Sequence, residues 1–396
     1  MACHAGPVVR AARLELADVL RGHAPPLVSL TPDRARVVRA LIACRTAELG
    51  GHLQRCEQCG RERPRYNSCR NRHCPKCQSL RAGLWVEARR AECLPVHYFH
   101  VVFTLPESLR PLFLAAPCCA QGLLFAAGAE TLLDVCRTRL GATPGFSVVL
   151  HTWTQTLLYH PHLHCIVTGG GLNRNRDAWI RSRPSFFLPV RLLSQVFRGK
   201  LLEKLSRACQ AEPSRIPLPA SRALLRQAAR RAWVVYCKPP LAGPEQVLRY
   251  LGRYTHRIAI GTERLLALRD GQVSFRYKDR RKNRRRVMRL PAEEFSRRFL
   301  LHALPRGLVR VRHYGLLANA DKTRRLALCR SLLGAPQPPR PTREPRPSWS
   351  ETYRRLVGQD PLLCPFCRVG RLVVVAEIPR SLAPPDRRNA PPWRPP

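Results

Sequence analysis

Acidic residues are scarce in this chain. Its 396 residues carry 26 Asp and Glu against 69 Lys and Arg, a formal charge of +43. A surplus of that size repels itself unless counterions or a polyanion neutralise it, so nucleic acid is the first partner to expect. Arginine greatly outnumbers lysine, as a GC-rich coding sequence would give; such bias exchanges Lys for Arg but does not remove acids. Also missing is any stretch near the ~20 uninterrupted apolar residues of a membrane span. The most apolar region, Ala115 to Ala129, is short and reads as a buried helix. Met1 to Leu30 has no continuous apolar core of the kind a secretory signal needs. No GxxxxGK[ST] loop occurs, so no P-loop motor domain is expected.

What is present is enough to fold. A 45% hydrophobic content over this length suits two or three domains. Seventeen cysteines without a secretory signal point to a reducing, cytoplasmic compartment, where clustered Cys means metal more often than disulfide. The cluster lies in residues 44–92. Cys56-x2-Cys59 and Cys74-x2-Cys77 are two knuckles with fourteen residues between them, close to the spacing of a four-cysteine zinc site. Two thiolates from each would close a tetrahedron and leave no open position, which makes the expected zinc structural. Cys44, His52, Cys69 and His73 lie beside or between the knuckles and form a candidate second zinc set. Arg61, Arg63, Arg65, Arg70, Arg72 and Lys76 crowd the same segment, as in a small zinc module that grips DNA phosphates.

The chemistry-bearing stretch is His160 to Gly171, HPHLHCIVTGGG. Its Leu163, Cys165, Ile166 and Val167 read as a buried strand, in which side chains at i and i+2 share a face. His162 and His164 therefore project together while Leu163 turns into the core. Two imidazoles on one rigid strand can hold a divalent cation such as Mg²⁺ or Mn²⁺, which suits phosphoryl-transfer chemistry. His160 precedes Pro161 and is expected in a turn. Phe146 to Leu158 and Leu163 to Thr168 read as an antiparallel hairpin, preceded by a strand at Tyr98–Pro106 and a long helix at about 110–140.

Further on, Thr31-Pro32-Asp33 signals a helix start, and Asp270-Gly271 a hairpin between 265–268 and 273–277. On a helix begun by Pro244 and Glu245, Tyr250 and Tyr254 are one turn apart on one face. The run Asp279 to Arg286 holds Arg280, Arg281 and Lys282 beside Lys278. With the aromatics Phe275 and Tyr277 next to it, it reads as a single-strand DNA contact. Residues 291–303 look helical. Residues 326–396 are Pro/Arg-rich and expected to be largely disordered. Within them Cys364-x2-Cys367 is a lone knuckle without an obvious partner pair.

Taken in order, the cysteine cluster, Val101-Val-Phe-Thr-Leu-Pro106, His151-Thr-Trp153, His162-Leu-His164, Gly169-Gly-Gly171, Tyr250-Leu-Gly-Arg-Tyr254-Thr-His-Arg257 and His313-Tyr-Gly-Leu-Leu-Ala-Asn319 resemble the IS91 group of insertion-sequence transposases. These are bacterial members of the HUH (His-hydrophobe-His) rolling-circle nucleases. The resemblance runs from Cys44 to Asn319; no one motif is decisive, the ordered set is. It implies an α+β fold: a central antiparallel sheet flanked by helices, preceded by the zinc module. The expected division is an N-terminal helical segment at 1–43, the zinc module at 44–92, a catalytic domain at 93–325 and a tail at 326–396. It implies His162 and His164 as ligands of a catalytic Mg²⁺ or Mn²⁺, with His151 as third ligand and Gln155 as its alternative. It implies Tyr250 and Tyr254 as nucleophiles on single-stranded DNA at element ends and target, with Arg253 and Arg257 among the DNA contacts. A phenol with pKa ~10 is mostly protonated at neutral pH, so a neighbouring cation helps by stabilising developing charge. A tyrosyl phosphodiester retains the energy of the cleaved bond, so rejoining needs no ATP. A plasmid replication initiator or relaxase would use the same chemistry. A non-catalytic zinc-dependent DNA-binding protein would use the cysteines alone.

Overall fold

The computed structural model describes residues 13–90, 92–211, 218–241, 246–247, 252, 259–279, 282–337 and 348–381. The chain divides into two compact units that cut across the expected boundaries. One comprises Met1–Gln78, Ile260–Leu301 and Tyr353–Pro396; the other comprises Ser79–Ala259 and His302–Thr352.

The first unit contains two three-stranded antiparallel sheets. In one, β1 (Gly51–Cys56) is central, with β2 (Glu62–Tyr66) on one side and β12 (Leu372–Ile378) on the other. The second is a meander of β8 (Leu265–Arg269), β9 (Gln272–Asp279) and β10 (Arg284–Pro291). Its first turn is Asp270-Gly271, both left-handed at φ 49° and 69°, as a two-residue hairpin requires and as the dipeptide predicts. Helix Ala292–Leu300 covers the meander through Phe295, whose ring meets that of Phe275 at 5.7 Å. Helix Pro32–Ile42 starts after Thr31 with Pro32 in its first turn, where proline's missing N–H costs nothing.

The expectation of a largely disordered tail is corrected by helix Trp349–Val357 and by β12, which pairs with β1 from Gly51↔Ile378 to Cys56↔Leu372. The signal is Leu372-Val-Val-Val-Ala-Glu-Ile378, a β-branched run that the surrounding Pro/Arg composition obscures.

The second unit is built on an antiparallel sheet in the order β11-β4-β5-β3-β7, with β6 added to β5. The strands are β3 (Tyr98–Thr104), β4 (Thr143–Trp153), β5 (Tyr159–Leu172), β6 (Trp179–Arg181), β7 (Val235–Leu241) and β11 (Val311–Gly315). Alternation along β5 sorts its two faces. Leu163, Cys165 and Val167 are fully buried on one face. There helix Pro117–Leu140 approaches so closely that a Cβ on Gly128 would lie 2.8 Å from the Leu163 side chain. Helix Val190–Ala211 packs on the same face through Phe197, 4.6 Å from the Phe103 ring. Even-numbered positions of β5 face the other way. Ile166 joins an apolar cluster there with Tyr98, Leu316, Leu326 and Cys329 of helix Lys322–Leu332, and the histidines lie farther along the strand.

Among the described residues, only Pro117–Leu140 is long and apolar enough to cross a membrane by length and composition, and more than half of it is buried inside the protein. Gly169, Gly170 and Gly171 mark the most crowded part of β5. Side chains there would run into the His97 ring, the Ile180 carbonyl and the Thr143 carbonyl respectively. Three neighbours close on one strand because it has no Cβ there.

Candidate active site and cysteine centres

The histidine centre follows from strand register. β4 and β5 pair antiparallel with His151 opposite His162 and Val149 opposite His164. Opposed residues share a face, so three imidazoles meet there; their ligand nitrogens all lie within 4.8 Å of one another. Ring centroids are 4.5 Å apart for His151–His164, 4.9 Å for His162–His164 and 5.6 Å for His151–His162. His151 and His164 are buried and His162 half-buried.

The register shifts twice, between Pro144 and Phe146 and between His151 and Trp153. At the second shift one residue of β4, Thr152, faces two of β5, His160 and Pro161, between the pairs His151↔His162 and Trp153↔Tyr159. A bulge is where a sheet tolerates proline, since no ladder N–H is needed. His160 is thereby inside β5 and not in the preceding turn as expected from Pro161. Gln155, the alternative third ligand, lies past the end of β4 in the turn.

Hydrogen bonds orient the rings. His162 Nδ1 is 2.7 Å from the His160 carbonyl oxygen. A carbonyl only accepts, so Nδ1 carries the proton and Nε2 presents a lone pair. His164 Nδ1 is 2.9 Å from Nε2 of His100, a buried residue of β3 whose ring stacks on His164 at 5.1 Å. In the tautomer that donates from His164 Nδ1 to His100, the Nε2 of His164 presents its lone pair on the face shared with His151 and His162. Such outer partners fix tautomer and ring orientation at metal sites. His100 was not singled out from sequence. Its parity on β3 was readable, but not that β3 would lie beside β5.

The turn after β4 is held by His302, whose Nδ1 accepts from the Thr152 hydroxyl (3.2 Å) and whose Nε2 donates to the Leu157 carbonyl (3.1 Å). Leu157 has φ 63°, an unfavourable conformation for a branched residue that this bond helps to fix. Burial pushes the His302 pKa down to about 4, so it is neutral. His313, bonded to Ser147 Oγ at 2.8 Å, is lowered to about 4 by burial and by Arg89.

The cysteines group differently from their sequence spacing. Cys56/Cys59 and Cys74/Cys77 do not form one site. Cys74 and Cys77 join Cys44 and Cys69, while Cys56 and Cys59 join Cys364 and Cys367. The reason is the β1–β2 hairpin: Cys56 and Cys59 are at its tip, whereas Cys44 and Cys69 flank its base, where Arg45 N–H donates to the Asn67 carbonyl. Six strand residues at ~3.3 Å each separate tip from base by ~20 Å. His52 lies on β1 opposite Arg65 and Glu377, and the buried His73 donates its N–H to Asn71 Oδ1; neither belongs to a cysteine group. At the base, Sγ–Sγ distances are 3.6 Å (Cys44–Cys77 and Cys44–Cys74) and 3.7 Å (Cys69–Cys77). A tetrahedral zinc with Zn–S of ~2.3 Å has sulfur–sulfur edges of ~3.8 Å, so this donor set fits structural zinc. Hydrogen bonding from Cys69 and Cys74 brings the Cys44 thiol down to about 7, toward the thiolate a metal takes.

The expected DNA contacts fare unevenly. Arg70 is exposed, with φ 52°; Arg72 is half-buried near Arg36 and Asp33; Lys76 is engaged by Glu15 at 2.5 Å. Lys278 and Lys282 are exposed on the β9–β10 hairpin. Phe275, expected beside them as a stacking platform, is instead fully buried against Phe295, because alternation on β9 turns it inward. The outward face of that hairpin carries Arg276, Lys278, Arg285 and Arg289, with Lys278 directly opposite Arg285. Tyr250, Tyr254, Arg253, Arg257, Arg280 and Arg281 lie outside the described residues.

Two family descriptions and two relatives match the chain. Residues 19–105 match the family described as "Transposase zinc-binding domain", and residues 145–325 match the family described as "Putative transposase". The chain is 45% identical over 387 residues to "Putative transposase y4qJ" of Sinorhizobium fredii, covering 94% of this chain and 97% of that protein. It is 28% identical over 349 residues to "Transposase for insertion sequence element IS801" of Pseudomonas savastanoi pv. phaseolicola, covering 86% and 83%. No solved structure matches. With a relative this similar over nearly its whole length, and with both domain families in order, the chain belongs to the IS91-type insertion-sequence transposases.

Proposed function

We propose that the protein nicks and rejoins single-stranded DNA in rolling-circle transposition, through a 5′-phosphotyrosyl intermediate on an HUH-type sheet. The observation that carries this reading is the convergence of His151, His162 and His164 from two adjacent strands, with the rings of His162 and His164 oriented by His160 and His100. An all-nitrogen set of three leaves positions for phosphate oxygens. A bound Mg²⁺ or Mn²⁺ would supply polarisation of the scissile phosphate and stabilise its developing charge.

In this reading the Tyr250 or Tyr254 phenol attacks phosphorus. The tyrosine O–P bond forms, the P–O3′ bond breaks, the phenol proton is lost and the departing 3′ oxygen gains one. Reversal by a 3′-OH rejoins the strand, and two tyrosines permit two successive transfers. DNA phosphates would be held by exposed cations such as Arg70, Lys278 and Lys282. On the β9–β10 hairpin, facing like charges are unfavourable without a polyanion.

The test uses single-stranded oligonucleotides spanning the ends of the element that carries the gene, with Mg²⁺ or Mn²⁺. Wild type is expected to give a covalent protein–DNA adduct and a free 3′-OH product, and Tyr250→Phe with Tyr254→Phe to give neither. An adduct that survives in the double variant removes the tyrosine assignment. A wild type inactive with every end sequence favours a DNA-binding protein without nuclease chemistry.

A further inference from the structure

The matched zinc-binding family ends at residue 105, yet a second four-cysteine group draws half its members from much farther along the chain. Cys56 Sγ lies 3.7 Å from Cys367 Sγ, and Cys59 Sγ lies 3.8 Å from Cys364 Sγ. These separations are too long for a disulfide, whose sulfurs are ~2.05 Å apart. They match the ~3.8 Å edge of a zinc–thiolate tetrahedron.

The two knuckles are also built alike. In the first, Gly60 N–H donates to the Cys56 carbonyl at 3.0 Å, and in the second, Arg368 N–H donates to the Cys364 carbonyl at 2.9 Å. Each of those donors stands four residues after the first cysteine and is left-handed, at φ 68° and 59°. Each first cysteine donates its own N–H back across the turn, Cys56 to Arg61 and Cys364 to Gly370. Backbone N–H groups point at sulfur in both, Cys59 N–H to Cys56 Sγ at 3.5 Å and Gly370 N–H to Cys367 Sγ at 3.4 Å. A left-handed conformation at a non-glycine such as Arg368 is costly, so its recurrence at the matching position argues for a required turn. Gly370 has no room for a side chain: a Cβ would collide with Gln58 and lie 2.5 Å from Cys56 Sγ. The Arg61 guanidinium caps the Phe366 ring at 5.2 Å, joining the knuckles from outside.

We propose that Cys56, Cys59, Cys364 and Cys367 bind a second structural zinc, which clasps the C-terminal segment onto the N-terminal hairpin and seats β12 as its third strand. Four thiols enter as thiolates and release their protons to solvent when Zn²⁺ binds. The clasp lies at one end of the β1–β12 ladder, where Cys56 itself pairs with Leu372. This site stands apart from the nuclease reading and is unaffected if that reading fails.

The experiment measures zinc per chain on the full-length protein, purified with Zn²⁺ under reducing conditions, with His162→Ala present throughout so that the three-histidine centre does not add to the count. Two zinc ions per chain with all cysteines intact are expected. Cys364→Ser with Cys367→Ser should retain one, as should Cys69→Ser with Cys74→Ser, and the combined variant none. Limited trypsin digestion should cut the wild-type 364–378 segment only after chelation, but the C364S/C367S protein without it. Cobalt(II) loading of wild type alone, scored by thiolate-to-cobalt absorption at two equivalents, gives the stoichiometry without relying on any variant's folding. One metal per chain with all cysteines intact, two in the C364S/C367S protein, or a Cys56–Cys367 or Cys59–Cys364 disulfide in a non-reducing peptide map would each overturn the proposal.

Discussion

The histidine centre and the cysteine centres solve the same problem, bringing soft or borderline ligands together, by opposite means. The histidines come from neighbouring strands of one hairpin, and the sheet's hydrogen bonds fix their spacing before any ion arrives. The cysteines sit on turns and loop ends, and one group joins residues 305 positions apart. Where backbone ladders position the ligands, the metal can leave and the scaffold remain; where ligands sit on turns, metal and fold stand or fall together. The first arrangement suits an ion that meets a substrate, the second an ion that never does.

That contrast can be broken or sharpened by measurement. The largest expected effect is on chemistry. His162→Ala or His164→Ala should lower single-strand nicking by about 10³-fold or more, since polarising a phosphoryl oxygen is worth several kcal/mol, with the unfolding transition of the sheet unit nearly unchanged. A collapse of the fold in either variant would place these residues with the cysteines. Next, chelation or Cys69→Ser with Cys74→Ser should remove the unfolding transition of the zinc-bearing unit while leaving that of the sheet. A single unchanged transition by calorimetry would contradict the contrast. His100→Ala should weaken divalent-ion binding about 10- to 100-fold, the usual loss for an outer partner, read by titration calorimetry with Mn²⁺.

A pH dependence separates scaffold from site. His302 has its folded pKa near 4, below the ~6.5 of the unfolded chain, so the unfolded state takes up the proton first. Its contribution is therefore complete above pH 6.5 and lost as pH falls toward 4, by up to about 3 kcal/mol. His302→Gln should flatten the stability curve in that window by urea titration. His313 adds a dependence of the same sign. The smallest effect is at the surface. Lys278→Ala with Arg285→Ala should reduce the slope of log affinity against log salt by about 1 to 2 for single-stranded DNA, with little change in stability.

What could be read from sequence follows the same divide. Period-two alternation placed His162 and His164 on one face, and Asp270-Gly271 gave its hairpin, because both signals are local. The pairing of β3 with β5 is not local, so His100 stayed invisible although its strand was recognised. Cysteine spacing misled for a geometric reason: Cys56 and Cys74 are near in sequence, but the hairpin carries one away from the other. Cys364 and Cys367 looked partnerless because their partners precede them by three hundred residues and nothing in the intervening chain announces the return. Phe275 was misread as a surface aromatic because the basic residues around it dominate the stretch, while its own parity points inward.

The pairing of β12 with β1 has a temporal consequence. A ribosome adds ~5–20 residues each second, so the N-terminal hairpin emerges on the order of 15 to 60 s before the segment that completes its sheet. For that interval one edge of β1 and two thiols at its tip remain uncovered. A message cut short anywhere before the final knuckle would leave them so permanently, yielding a product that proteases and chaperones can distinguish from the finished enzyme.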